Sequence, residues 1–233
     1  MSSRLSVVAP CFNEAASLPA LVDGFARAGS GRDFELILVD NGSTDGTTDA
    51  LRELPPFARR LRLLKNRGYG GGIWAGLSAA EGEFLAWTHA DLQCDPADVF
   101  AAFDALLASE SPRRTIVKGL RQGRAFREEV VTRGMNALAT VVLRRPFRDV
   151  NGQPKVFHRS LLAALDRPPC DISFDLYILN RALRLGWSIG TVPVAVRPRV
   201  HGDSSWSFSW YSRIRAAAIV ARSMFRLRRR DAP

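Results

Sequence analysis

The chain has 233 residues, of which 46% are hydrophobic and 24% are charged. This composition is that of a globular protein, so it excludes intrinsic disorder and collagen-like repeats. The formal net charge is +10, and residues 204–233 hold seven arginines but one acidic residue, Asp231. The sequence therefore predicts a near-neutral body with a basic C-terminal segment, which favours an anionic partner.

Cysteine content and hydropathy restrict the class of protein further. The cysteines number three and form no C-x-x-C pair, which argues against a zinc ribbon and a disulfide framework. No apolar run reaches the ~20 residues that span a bilayer, and the N-terminal segment does not resemble a signal peptide. We therefore expect reduced thiols and a cytoplasmic protein.

Short apolar runs alternate with helical patterns along the chain. Strands are predicted at 5–9, 34–39, 61–64, 83–88, 115–118, 155–158 and 187–196. Helices are predicted at 14–28, 47–54, 73–80, 96–108, 128–143, 172–185 and 210–227, with Asn13 as the N-cap of the first and Pro96 opening the fourth. This alternation predicts an α/β fold, a doubly wound and mostly parallel sheet with helices on both faces.

Polar or glycine-rich segments follow the first four predicted strands, at residues 10–14, 40–46, 66–72 and 89–93. Taken singly, each segment also has a structural explanation as a turn or a helix cap. The glycines at 70–72 lack both the P-loop lysine and the spacing of a dinucleotide fingerprint. Because ligands bind at the carboxyl ends of parallel strands, the four segments together indicate a nucleotide site.

Three segments carry a resemblance to a known family, and they are VVAPCFNE at 7–14, LVDNGSTDGT at 38–47 and ADLQCDP at 90–96. They resemble the signature segments of family 2 glycosyltransferases of GT-A fold. Segments at 119–121, 133–136, 149–157 and 199–204 resemble the subgroup of dolichol- and polyprenyl-phosphate mannose synthases and related sugar transferases. We therefore expect a GT-A domain over residues 1–206 and a basic amphipathic segment over residues 207–233.

The resemblance implies which residues hold the nucleotide of a nucleotide diphosphate sugar donor. These residues are Pro10, Phe12, Glu14, Leu38 and Asp40. The aromatic ring of Phe12 would pack on the base. The carboxylate of Asp40 would accept hydrogen bonds from the base or from ribose hydroxyls.

The resemblance also implies a metal and diphosphate motif at His89, Ala90, Asp91 and Gln93. Asp91 is the expected ligand of Mg²⁺ or Mn²⁺, because hard cations prefer carboxylate oxygens and share them with phosphates. Gln93 would add a neutral oxygen. His89 stands where the family carries an acid, and it is a candidate contact although imidazole is a poorer Mg²⁺ ligand.

Two arginines, Arg121 and Arg199, fall where the family sets guanidinium groups against phosphates, a role that suits a rigid bidentate fork. The sequence departs from the subgroup at Ser205, which replaces a lysine. It departs again at residues 153–154, where Gln-Pro replaces an apolar-aromatic pair and Lys155 follows. These departures leave the sugar and the acceptor more open than the reaction type.

The acceptor determines whether a general base is needed. The implied reaction is an inverting, in-line displacement at the anomeric carbon of the donor. A polyprenyl phosphate has its second pKa near ~6, so at neutral pH it needs no strong base. A sugar hydroxyl of a polysaccharide, lipopolysaccharide or natural product does need one. Asp171 and Asp175 are the candidates for that base, and both could instead cap the following helix.

The C-terminal helix separates apolar residues from arginines. One face is predicted to carry Trp210, Ile214, Ala217, Ala221, Met224 and Phe225, and another carries Arg215, Arg222, Arg226 and Arg229. This pattern predicts a helix lying on the anionic inner face of a membrane, or one packed on its own domain or on a membrane-embedded partner protein.

The sequence also bears on two other classes of function. Nucleic-acid binding is not expected, because no stacking aromatics or recognition motif accompany the basic cluster. A non-catalytic nucleotide-sugar binding protein stays open as an alternative, because His89 replaces an acid of the metal motif.

Overall fold

The computed structural model describes residues 5–123, 126–197 and 210–231, and the side chains at 127, 128, 210–216, 230 and 231 lie outside the description. The strands are β1 (Leu5–Cys11), β2 (Phe34–Asn41), β3 (Ala58–Leu63), β4 (Phe84–Trp87), β5 (Thr115–Gln122), β6 (Lys155–His158) and β7 (Ser188–Ala195). The helices are α1 (Leu18–Ala28), α2 (Thr47–Ala50), α3 (Gly68–Ala79), α4 (Pro96–Leu107), α5 (Phe126–Leu143), α6 (Phe174–Arg184) and α7 (Trp210–Asp231).

The seven strands form one sheet in the order β3-β2-β1-β4-β6-β5-β7. Strands β1 to β4 are parallel, β5 and β7 pair in parallel, and β6 runs antiparallel to β4 and β5. The chain winds outward from β1 to β3 and then returns to place β4 on the other side of β1. A crevice therefore opens at the carboxyl ends of β1 and β4, where open α/β sheets bind ligands.

Helices cover both faces of this sheet. Helices α1 and α4 pack on one face, where Phe25 and Phe100 meet edge to face with their ring centroids 6.2 Å apart. Helices α3, α5, α6 and α7 pack on the other face, around Trp87. Burial on both faces explains the continuous apolar runs of β1 and β2. The predicted doubly wound, mostly parallel α/β fold is confirmed.

Helix α1 begins later than predicted. It starts at Leu18, with Ser17 as the N-cap and Pro19 in the first turn. The prediction that Asn13 caps this helix was wrong. Asn13 has φ 58° and belongs instead to a turn after β1, a conformation that asparagine tolerates better than most residues. The predicted helix at 47–54 also shortens, to the single turn of α2.

The glycine segment after β3 is helical, not a loop. Helix α3 starts at Gly68, five residues before the predicted start. A Cβ at Gly76 would overlap Val8 of β1, and one at Gly72 would lie 3.0 Å from the Asn41 side chain. The glycines therefore allow α3 to approach the sheet closely, and this packing overrides their low helix propensity.

The outer surface of helix α7 differs from the predicted apolar face. Met224 and Leu227 are buried against the domain, whereas Phe225 is 58% exposed. Arg228 Nη1 donates to the carbonyl oxygen of Val142 on α5, at 2.8 Å. The described part of α7 thus packs on its own domain through Met224 and Leu227. Among the described residues, no helix has the length and apolar character needed to cross a bilayer.

Candidate active site

The segments that follow β1 and β2 are joined by side-chain hydrogen bonds. Asn13 N donates to Ser43 Oγ at 3.1 Å, and Asn13 Oδ1 accepts from Thr44 N at 2.9 Å. Glu14 N donates to Thr47 Oγ1 at 2.9 Å. The two segments form one rigid corner beside the crevice, and Phe12 projects from it with 39% of its surface exposed.

Asp40 organises this corner from beneath. Its carboxylate is buried and accepts from Ser43 N at 3.0 Å and from Thr48 Oγ1 at 2.5 Å. Burial raises the pKa of Asp40, but these hydrogen bonds outweigh it and hold the pKa below its usual range. The carboxylate therefore stays ionised and holds the turn between β2 and α2.

The other predicted nucleotide contacts lie at different depths. Pro10, at the carboxyl end of β1, and Glu14 are partly buried beside the crevice. Leu38 is fully buried in the core between the sheet and the helices α1 and α4. Its side chain has no exposed surface with which to contact a nucleotide, so it supports β2 from below.

Asn41 connects β2 to the start of α3. Its Nδ2 donates to the Gly68 carbonyl at 3.0 Å, and its Oδ1 accepts from Arg67 N at 3.0 Å. The first turn of α3 is thereby fixed at the same edge of the sheet. Tyr69 lies in this turn, with its ring centroid 5.9 Å from that of His89.

The predicted metal motif follows β4, at the carboxyl end of that strand. Ala90 is buried, and Asp91 and Gln93 are partly buried. Leu92 has φ 61°, and this turn brings Gln93 N within 3.2 Å of Asp91 Oδ1, to which it donates. The Gln93 carbonyl accepts from Arg197 N at 3.1 Å.

Arg199, the second arginine predicted to face a phosphate, lies outside the described residues. Arg197 precedes Arg199 by two residues, and its guanidinium also pairs with Asp95 at 2.6 Å. Arg197 is therefore attached at two points to the segment after β4, at Gln93 and at Asp95.

The donor set beside Asp91 suits a divalent cation shared with a ligand. The described residues include no group of three or more His, Cys, Asp or Glu that could hold a metal ion by themselves. Mg²⁺ in nucleotide sites takes one or two carboxylates and completes its shell with phosphates and water. One carboxylate from Asp91, with Gln93 and His89 beside it, fits this arrangement.

The pKa of His89 depends on its burial and on the charged groups around the motif. Burial lowers the pKa of its imidazole, which favours the neutral ring. The carboxylates of Asp91 and Asp175 oppose this effect, whereas Lys155 and Arg121 reinforce it. These four charged groups therefore lie close enough to His89 to influence it electrostatically.

Arg121, at the carboxyl end of β5, forms a fork with Asp149. Its Nε donates to Asp149 Oδ1 at 3.0 Å, and the Arg121 backbone N donates to Asp149 Oδ2 at 2.9 Å. The side chain of Arg121 is 19% exposed. It lines a polar cavity of about 490 Å³ together with Arg133 and Arg148.

Asp175 lies in a buried network under the motif. Its side chain is 3% exposed, and it pairs with Lys155 Nζ, whose side chain has no exposed surface. Its Oδ2 accepts from Tyr69 Oη at 2.9 Å, and its Oδ1 accepts from Gln153 Nε2 at 3.1 Å. Gln153 Nε2 also donates to Tyr69 Oη at 2.8 Å.

The sequence pattern assigned no site role to several members of these clusters, namely Tyr69, Lys118, Asp149, Gln153 and Lys155. Lys118 is buried and donates to the carbonyls of Gly119 and Asp149 at 2.9 and 2.8 Å. Two features of the sequence could have indicated them. One is a lysine, Lys118, within a predicted strand, and the other is the departure from the subgroup pattern at Gln153 and Lys155. Nothing local connected these residues to Tyr69, which is 84 positions from Gln153.

Comparison with known proteins identifies the family. The family model described as "Glycosyl transferase family 2" matches residues 6–166. The undecaprenyl-phosphate 4-deoxy-4-formamido-L-arabinose transferases of Proteus mirabilis (strain HI4320) and Enterobacter sp. (strain 638) are 28% and 29% identical over 214 residues. Each alignment covers 88% of this chain, which spans 64% and 63% of those relatives' lengths.

Solved structures share the fold. Glucosyl-3-phosphoglycerate synthase from Mycobacterium tuberculosis in complex with phosphoglyceric acid has a TM-score of 0.74 and 23% identity, covering 97% of this chain and 80% of that one. Its complex with Mn²⁺, uridine-diphosphate and glucosyl-3-phosphoglycerate has a TM-score of 0.71 and 22% identity, with the same coverage. The fold is thus GT-A-like, and the match to residues 6–166 shows that the chain belongs to glycosyl transferase family 2.

Proposed function

We propose that the chain transfers a sugar from a nucleotide diphosphate sugar to a polyprenyl phosphate at a membrane surface. The observation that carries this proposal is a pair of adjoining cavities beyond the crevice. The polar cavity at Arg121, Arg133 and Arg148 is also lined by Asp149 and Glu129, which pair with the first two arginines. It shares Thr132 and Asn136 with an apolar cavity of about 150 Å³. A polyprenyl phosphate complements these two cavities, because its anionic phosphate suits the arginines and its isoprenoid chain suits the apolar cavity.

The apolar cavity lies between three helices. Its lining comes mainly from α5, α6 and α7, and it includes Met135, Ala139, Leu176, Val220 and Met224. Val150 N donates to Asn136 Oδ1 at 3.3 Å, which fixes the boundary between the two cavities. An isoprene unit could enter here while its phosphate faces the arginines.

The donor would occupy the crevice between β1 and β4. Phe12 and the corner formed by residues 13–14 and 43–47 would face the nucleoside. Asp91 would face the diphosphate. Asp91 and Gln93 would hold Mg²⁺ or Mn²⁺, which supplies positive charge to the departing diphosphate. Arg199, which follows the anchored Arg197, would add a guanidinium to the same phosphates.

The chemistry is one displacement. A phosphate oxygen of the acceptor forms a bond to the anomeric carbon as the bond to the donor diphosphate breaks, so the configuration inverts. The dianionic phosphate requires no base. This fits Asp175, which is buried and ion-paired with Lys155 and would position Tyr69 and the metal motif.

A hydroxyl acceptor would assign a different role to Asp175. The carboxylate would then have to leave Lys155 and reach the crevice to take a proton. Its hydrogen bonds to Tyr69 and Gln153 oppose that movement. The buried network therefore favours the phosphate acceptor.

Membrane association is proposed from the surface of α5 and α7. Exposed apolar side chains lie on these helices, and they include Phe126, Val130, Val131, Val141 and Phe225. Helix α7 also carries exposed arginines, at positions 222, 226 and 229. Exposed apolar side chains and arginines on helices that pack together are typical of a protein that lies on an anionic membrane, here its inner face.

The test combines donor binding with acceptor choice. Calorimetry with UDP-, GDP- and dTDP-sugars and Mn²⁺ should find one donor class, and Asp91→Ala should abolish its metal-dependent binding. Asp49→Ala, which removes an exposed carboxylate on α2, is the matched control and should bind normally.

Turnover then identifies the acceptor. A short-chain polyprenyl phosphate should accept the sugar, and the corresponding polyprenol should not. Transfer to the free alcohol or to a glycan hydroxyl would contradict the proposed acceptor. Donor binding without transfer to any acceptor would indicate a binding protein instead.

A further inference from the structure

A second basic region lies on the side of α7 away from the acceptor cavities. Two cavities, of about 350 and 300 Å³, share Arg167, Tyr177 and Leu227. The first is lined in addition by Arg181 and Arg184 of α6. The second is lined by Arg222 and Arg226 of α7 and by Ser173 and Ser223, of which Ser173 already donates its hydroxyl to Asp171. We call this region the arginine groove.

We propose that the arginine groove is a binding site for a phosphate group, separate from the donor and acceptor sites. Bidentate guanidinium groups recognise phosphate oxygens, and the hydroxyl of Ser223 lies beside them in the same lining. Helix α7 separates this groove from the apolar cavity, since Val220 and Met224 line that cavity while Ser223 and Arg226 line the groove.

The described lining of the groove carries more arginines than carboxylates. Without Arg184, the arginines at positions 167, 181, 222 and 226 still face only the carboxylates of Asp166 and Asp171 among the described lining residues. Asp171 Oδ1 already accepts from Ser173 N at 2.8 Å and from Ser173 Oγ at 2.6 Å. Asp166 lies 3.9 Å from Arg167 Nε, and both side chains are more than 80% exposed, so this pair is weak.

The imbalance opposes the packing of α7. Arg222 and Arg226 are one helical turn apart, and like charges at that spacing destabilise a helix. Arg167, on the opposite wall of the second cavity, adds a third positive charge. A bound phosphate would remove this repulsion and link α7 to the segment that precedes α6.

The groove is preformed. Tyr177 Oη donates to the Asp166 carbonyl at 2.7 Å and accepts from Asp166 N at 2.9 Å, which holds the wall that carries Arg167. Arg181 Nε donates to the Ala164 carbonyl at 2.8 Å. Leu227 is buried and anchors α7 on the other side. Binding would therefore require few changes beyond the arginine side chains.

The phosphate could belong to a lipid headgroup or to a free phosphorylated compound. Calorimetry on the full chain at constant ionic strength separates them, with inorganic phosphate and dihexanoyl-phosphatidylglycerol below its micelle concentration as probes. Dihexanoyl-phosphatidylcholine serves as the zwitterionic reference. Tighter binding of phosphatidylglycerol supports a headgroup site, and tighter binding of inorganic phosphate supports a site for free phosphates.

The groove variant is Arg222→Gln with Arg226→Gln. Loss of two charged hydrogen-bonding groups should weaken the preferred probe by about tenfold or more. The control, Arg52→Gln with Arg113→Gln, removes the same charge from exposed surface positions and should change binding less than about twofold. Equal weakening in both variants, or no saturable binding of either probe by the parent protein, would overturn the proposal.

Two further measurements test whether the loss of binding is specific to the arginine groove. Arg167→Gln alters the groove without touching α7, and it should also weaken the probe while circular dichroism stays unchanged. Nucleotide-sugar binding, measured on the same samples, should be unaffected in all variants. Failure of the transferase proposal would appear in that second measurement, and failure of the arginine groove would appear only in the first.

Discussion

The buried pair of Asp175 and Lys155 permits a quantitative prediction for Asp175→Ala. The two side chains are 3% and 0% exposed. Removing the carboxylate leaves the Lys155 ammonium group buried without its countercharge. Such one-sided removal costs about 3–5 kcal/mol. The Gly152 carbonyl, 2.9 Å from Lys155 Nζ, accepts one hydrogen bond but supplies no charge.

Urea and thermal unfolding, followed by circular dichroism, measure this loss. In a chain of this size ~1 kcal/mol lowers the melting temperature by ~2–4 °C, so we expect a decrease of about 6–20 °C. The control is Asp49→Ala, whose pair with Arg52 has side chains 68% and 72% exposed. It should cost ~0–1 kcal/mol, as exposed pairs do.

A double variant separates the charge from the packing. Lys155→Met with Asp175→Leu should recover a large part of the loss, because apolar residues of similar volume often replace a buried pair without penalty. Recovery will be partial, since Tyr69 and Gln153 lose their hydrogen-bond acceptor. A loss below about 1 kcal/mol in Asp175→Ala, or a double variant no more stable than the single one, would refute the reasoning.

Burial lowers the pKa of Lys118 to about 7, whereas an unfolded lysine titrates near ~10.4. Between these values the unfolded state holds the extra proton, so parent stability relative to Lys118→Met should rise by up to ~1.4 kcal/mol per pH unit in urea titrations; a constant difference would contradict this. Gly76→Ala should destabilise by ~1–3 kcal/mol because its methyl group overlaps Val8, whereas Gly134→Ala, with nothing within 4 Å, should be neutral or stabilising in the same melts. Arg121→Lys should lower turnover about tenfold because lysine cannot form the fork on Asp149, and unchanged turnover would remove Arg121 from the site.

Local pattern was sufficient for most elements. Asp95 and Pro96 mark the start of α4 because an acidic N-cap and a proline in the first turn satisfy or remove free backbone donors, and the Asp95 side chain does accept from Ala97 N. The bounds of β6 agree with the prediction at 155–158. Where long-range packing decides, local pattern failed, as at the glycines of α3 and at Asn13.

The candidate site likewise has one part that the sequence predicts and another that only the tertiary structure determines. The signature segments at 7–14, 38–47 and 90–96 were sufficient to predict the family and the edge of the sheet, because chemistry at strand ends depends on contiguous residues. The partners of Asp175 could not be predicted, because Tyr69 lies 106 positions away and Lys155 lies on β6. Only the tertiary structure brings these residues together, since the sheet order places β6 beside β4 and α6 over both, and burial then requires each polar group there to find a partner.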